Sequence, residues 1–201
     1  MSFTVNIWRC QIGLVYWKIN FTHSQKSKGE LAIKWKPPPL DWIKLNFDGS
    51  MCGNLAAIGF VIRDWNGNVW LAGAKNSGHI SINVTECLEL RDGLAHAIHN
   101  GWRKVLAEGD SKPIIDCINN KVLVPWSIHL IVQDIRLLSS YCEEISFQHI
   151  FRKANFTADA LANLGHSLNP SHLWERGIPL GCSALFYFDL VGPACSRSFR
   201  L

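Results

Sequence analysis

The sequence predicts an α/β domain, and three observations carry that prediction. Three strand-like runs follow one another between residues 42 and 76, with an Asn-Gly turn between the second and the third. At Thr85 the spacing of apolar residues changes from two to about 3.6, the helical period. From there to Leu168 helical and strand-like segments alternate. The chain has 201 residues, 48% of them apolar and 18% charged, which is globular composition. No run approaches the roughly 18 apolar residues of a membrane span, so a soluble protein with no membrane partner is expected.

Each element has its own signal. Lys36-Pro37-Pro38-Pro39 can continue neither a helix nor a central strand, because prolines lack donors and fix an extended backbone. The domain boundary is placed there: a basic, poorly ordered leader over 1–35, a domain over 36–168, and a tail over 169–201 that packs on or near it. Trp42 to Ser50 alternates, with Ile43, Leu45 and Phe47 on one face, and predicts a half-buried strand. Ala56 to Asp64 and Val69 to Asn76 flank the turn Trp65-Asn66-Gly67-Asn68. A helix then starts at a cap supplied by Asn83 or Thr85, carries Glu86, Leu90, Leu94 and Ala97, and ends at Gly101. Arg103 to Asp110 predicts a short buried strand, Ser111 with Pro113 a second helix, and Trp126 to Tyr141 a third. Glu144 to Phe151 alternates as the last strand, and Asn155 to Leu168 closes the domain as a helix. The order is β-β-β-α-β-α-α-β-α, with the later strands parallel through right-handed crossovers.

Charge is unevenly placed. Residues 1–40 hold six Lys/Arg and one acidic residue, whereas 41–168 hold eleven against thirteen, a balance of −2. An anionic partner must therefore be drawn to the domain by something other than bulk charge. The seven cysteines contain no C-x-x-C pair, which argues against a disulfide framework or zinc ribbon and for reduced thiols in an intracellular protein; the expected compartment is nuclear or cytoplasmic, with an organelle left open.

Four carboxylates fall inward or at the sheet edge: Asp48 in the first strand, Glu86 near the start of the first helix, Asp110 at the end of the fourth strand, and Asp159 in the last helix. Alone, each reads as a turn former, a helix-terminal charge, a cap or a solvated acid. The strand order, however, brings them together. Two like charges 4 Å apart repel by roughly 4 kcal/mol at an effective dielectric near 20, so such a cluster requires protons or a cation. Hard oxygen donors suit Mg²⁺ or Mn²⁺.

The segments "KLNFDGS", "TECLELRDGL", "AEGDS" and "HIFRKANFTADALANLG", with the entry "KWKPPPLDW", resemble the signature blocks of the ribonuclease H type 1 superfamily, in the plant form related to the nuclease domains of non-LTR retrotransposons. The resemblance covers about Trp35 to Leu168. It implies a five-stranded mixed sheet flanked by helices, a monomer, and cleavage of the RNA strand of RNA–DNA hybrids at a site of two metal ions. It implies Asp48, Glu86, Asp110 and Asp159 as catalytic metal ligands, with Glu89 a less well matched competitor for Glu86. Substrate contacts are expected from Gly49, Ser50, Ser111, Arg152, Lys153 and Asn155. Two departures imply slow turnover and weak hybrid affinity: only Arg152, Lys153 and Ala154 stand where a loop histidine is usual, with His149 expected inside the strand, and the Lys/Trp-rich protrusion is missing. The competing expectation is a nuclease-fold module that binds nucleic acid or protein without cutting.

Overall fold

The structure is a computed structural model that describes residues 33–169, 171–193 and 195; of the leader expected over 1–35, residues 1–32 lie outside them. The strands are β1 (Ile43–Cys52), β2 (Leu55–Arg63), β3 (Val69–Gly78), β4 (Lys104–Gly109), β5 (Glu144–His149) and β6 (His172–Glu175). They form one sheet in the order β5-β4-β1-β2-β3-β6. The β1, β2 and β3 meander is antiparallel, and β4 pairs parallel with both β1 and β5. The sheet has six strands where five were expected. The sixth comes from beyond Leu168 and pairs antiparallel with β3, covering an edge that would otherwise stand open. Four residues are too few for alternation to register in a sequence.

The helices are α1 (Ile82–His99), α2 (Lys112–Ile118), α3 (His129–Ser139), α4 (Phe156–Gly165) and α5 (Ser183–Val191). The principal core lies under α1, α2 and α3, where Leu45, Phe47, Ile62, Leu90, Leu94, Val105, Ile115 and Ile135 meet. A smaller core on the opposite face joins Val61, Ala72 and Ala74 to Leu161 of α4 and Cys182. Gly59 marks the place where α4 crosses β2, since a Cβ there would lie 2.1 Å from the Ala162 nitrogen. Gly67, at φ +83°, closes the expected Asn-Gly hairpin, a backbone that glycine adopts without strain.

β1 departs from the half-buried strand the alternation predicts, because both of its faces are covered. Lys44 and Asn46, its polar positions, are 2% and 0% exposed. They are tolerated inside because they pair: the Lys44 ammonium donates to Glu108 of β4 at 2.6 Å and to the Lys36 carbonyl at 2.7 Å. The Asn46 carbonyl oxygen accepts from the Trp35 indole at 2.9 Å and from Arg63 at 2.7 Å. Trp35 also lies flat under the Arg63 guanidinium, 4.0 Å from its ring centroid. All six described cysteines are free, and no described helix is long and apolar enough to cross a membrane.

Candidate active site

Parallel pairing of β1 with β4 sets Phe47 opposite Gly109, so Asp48 and Asp110 follow side by side at the next position of each strand. α1 begins earlier than its sequence signals suggest. Its cap is Ser81, and Thr85 donates its hydroxyl back to the Ser81 carbonyl at 2.9 Å instead of capping, so Glu86 sits a full turn into the helix. Gly49 allows the approach: a Cβ there would stand 3.1 Å from the Glu86 Cγ and from the Thr85 methyl. The outcome is that Asp48, Glu86 and Asp110 each offer an oxygen within 4.8 Å of the others, the one such group of metal-ligating side chains among the described residues.

Asp159, on the first turn of α4, faces the same place but is engaged by Arg152. The Arg152 guanidinium donates to Asp159 Oδ1 through Nη2 and through Nε, the latter at 3.2 Å. Asn163, one turn further along α4, donates to the Asp159 carbonyl at 2.8 Å and to its Oδ2 at 3.3 Å.

The electrostatics of the cluster follow from burial and like charge. Burial, then the neighbouring Asp110, Asp159 and Glu86, push the Asp48 carboxyl up to about 9. Burial and Asp110 push Glu86 up to about 7, against the pull of a hydrogen bond from Ser111. Asp110 is raised as well, chiefly by burial. Asp48 accepts one bond on Oδ1, from the Gly49 amide at 2.9 Å, while its Oδ2 and Glu86 Oε2 are buried without a partner. Carboxylate oxygens orphaned in this way, in a cluster that raises its own proton affinity, suit a divalent cation. Glu89 does not join them. It is buried on α1 with both oxygens unpartnered, and the charges that act on it are Asp92 and Lys75, with a smaller influence from Asp48.

The expected substrate residues take several positions. Gly49 and Ser111 flank the carboxylates, and Ser50 donates to Asn163 at 2.7 Å. Arg152 is exposed at the site, while the charge of half-buried Lys153 acts on Cys195 in the tail. Asn155 is fully buried, and its amide donates to the Phe47 carbonyl at 2.9 Å, tying α4 to β1 next to Asp48. One residue escaped the sequence reading, and a second, His149, was expected deeper inside its strand than it lies. Asn163 stands four residues after Asp159, a helical spacing that could have found it. His149 is the last residue of β5 and exposed, with an imidazole nitrogen 3.1 Å from the Asp110 carbonyl oxygen. Strand-like alternation through Phe151 concealed that strand end.

A meander extended by two parallel strands, with acids converging from β1, α1, β4 and α4, defines an RNase H-like domain. The chain belongs to the Reverse transcriptase-like family, whose profile matches residues 46–165. It is 30% identical over 178 residues to the Arabidopsis thaliana "Putative ribonuclease H protein At1g65750". That match covers 86% of this chain and 28% of the relative, so the chain spans little more than a quarter of the relative's length. RNase H1 from the halophilic archaeon Halobacterium salinarum superposes with a TM-score of 0.60 at 26% identity, over 63% of this chain and 98% of that one. LC11-RNase H1, solved in complex with an RNA/DNA hybrid, gives 0.57 at 26% identity over 61% and 94% of the two chains. The N-terminal RNase H domain of Rv2228c from Mycobacterium tuberculosis, at 24% identity and a TM-score of 0.60 over 63% and 94%, shares the fold.

Proposed function

We propose that this chain is a metal-dependent endonuclease that cuts the RNA strand of RNA–DNA hybrids. The observation that carries the reading is the convergence of Asp48, Glu86 and Asp110 within 4.8 Å, with buried oxygens left unpartnered. These three side chains, joined by Asp159, are the residues to hold Mg²⁺ or Mn²⁺. Two such ions, when bound, would supply an activated water and charge stabilisation at the leaving oxygen of a phosphodiester. The remaining work belongs to the chain. Arg152, once Asp159 turns to the metal site, is free to pair with a backbone phosphate, as a planar guanidinium does well. The Gly49 backbone and the Ser50 and Ser111 hydroxyls lie beside the carboxylates as hydrogen-bonding groups for the same strand. Because the domain carries no net positive charge, binding rests on such local contacts. Two solved structures above 25% identity are RNases H1, one of them solved on an RNA/DNA hybrid, which supports the choice of substrate.

The test uses end-labelled RNA–DNA hybrid, duplex RNA and duplex DNA, each with Mg²⁺, Mn²⁺ or EDTA. Only the RNA of the hybrid should be cut, only with metal, and Asp48→Asn should abolish cutting because an amide supplies no charge at the centre of the cluster. Cutting that survives EDTA, or an Asp48→Asn protein that cuts like wild type, overturns the reading.

A further inference from the structure

α5 is turned the wrong way for an ordinary amphipathic helix. Its sequence, SALFYFDLV, contains one charged residue among mostly apolar ones. Yet Asp189 is the buried residue of the helix, with a side chain 0% exposed, while Leu185, Tyr187 and Val191 face outward at 38%, 57% and 78%. Apolar burial alone would turn the helix about its axis, so the carboxylate must be held by what it meets. It meets three donors at a single oxygen. Asp189 Oδ2 accepts from the Thr157 amide at 3.1 Å, from the Thr157 hydroxyl at 2.5 Å and from Arg63 Nη1 at 3.3 Å.

Thr157 is the second residue of α4, and its amide is one of the donors that a helix start leaves without an intrahelical partner. The residue at the cap position, Asn155, makes no side-chain capping bond: its amide nitrogen donates to the Phe47 carbonyl, and its carbonyl oxygen is buried without a partner. We propose that Asp189 is the missing cap of α4, supplied from the tail of the same chain, and that it is a positioning residue for Asp159 two positions beyond Thr157. A carboxylate at a helix N-terminus is favourable both as acceptor and as charge, and the bond from Arg63 aims it. The start of α4 is thus fixed at two points, by Asn155 on β1 beside Asp48 and by Asp189 on α5. Together they set where Asp159 stands relative to Asp48. Asp189 lies outside residues 46–165, the span of the family match.

The inference rests on the nuclease reading for its catalytic consequence, but its structural half can be read without it. Asp189→Ala alone leaves Arg63 buried and unpaired and risks misfolding, so the test uses the apolar double variant Arg63→Met/Asp189→Leu, which removes the buried pair without orphaning either member. Asp189→Asn, which keeps an acceptor for Thr157, is the conservative control. The measurements are the melting temperature, amide exchange at Thr157, Ala158 and Asp159, Mn²⁺ affinity by titration, and kcat and KM on hybrid. In the double variant, with melting retained, exchange at the three amides should rise and Mn²⁺ affinity and kcat should each fall by about tenfold or more, with KM little changed. Asp189→Asn should recover most of both. Wild-type exchange and Mn²⁺ affinity in a folded double variant overturn the proposal. If wild type itself neither binds Mn²⁺ nor cuts hybrid, the nuclease reading fails, and unchanged amide exchange in the variant is then what overturns the cap.

Discussion

Asp48 and Glu86 hold protons that an unfolded chain gives up much sooner. In the metal-free fold they titrate near 9 and 7, against ordinary values of 3.8 and 4.5. An acid whose value is raised by folding adds its full stability only below its unfolded value, and that stability drains away as the pH rises towards the folded one. The melting temperature of metal-free protein should therefore fall between about pH 5 and pH 9, at up to about 1.4 kcal/mol per pH unit for each proton. The increase in melting temperature produced by Mg²⁺ should grow over the same interval, since cation and protons compete for the same oxygens. A flat metal-free profile would mean that the carboxylates do not cluster. Asp110→Asn removes a charge that raises both neighbours, so its metal-free form should be as stable as wild type or more so, by up to a few kcal/mol, and respond less to Mg²⁺. A variant that is weaker without metal and gains as much from it would mark Asp110 as a cap for α2.

Among the elements, the contact of α4 with β2 governs the acidic face, because it brings Asp159 over the sheet. Gly59→Ala would set a methyl against the backbone of α4 at Ala162 and Leu161, neither of which is the free end of a side chain. The expected cost is about 1–3 kcal/mol or more by chemical denaturation, with a larger loss of hybrid cleavage than the stability change alone explains. Unchanged stability would show that α4 sits further from the sheet. Elements of this kind were largely legible in the sequence: the hairpin declared itself through Asn66-Gly67, α1 through Leu90, Leu94 and Ala97, and the acids through their places at strand and helix ends. The interior of the β1 polar face was not. Lys44 and Asn46 look solvated because their partners Trp35, Arg63 and Glu108 are remote in sequence, and only the register of β1 with β2 and β4 brings them together. Asp189 did leave a signal, a single acid in an apolar run, which is costly to bury unless something waits for it.

On the scale of the whole molecule, the described residues that follow Leu168 are part of the fold. They supply β6, which closes the β3 edge, and Asp189, which meets the fully buried Arg63. A chain ended after Leu168 should lose roughly 3–5 kcal/mol, the usual cost of removing one partner from a buried ion pair, or cease to melt cooperatively. Urea unfolding with an unchanged midpoint would contradict this. The segment before β1 takes part in the same closure. Trp35 underlies Arg63, and Ile33 exchanges backbone hydrogen bonds with Cys195 at 2.9 and 2.8 Å. The path of the chain therefore comes in and goes out through one doorway. A peptide link from Cys195 to Ile33 would need to cross almost no distance, so the order in which the elements are strung could be rewritten, with new ends opened at exposed Leu123, while every contact in the site keeps its place.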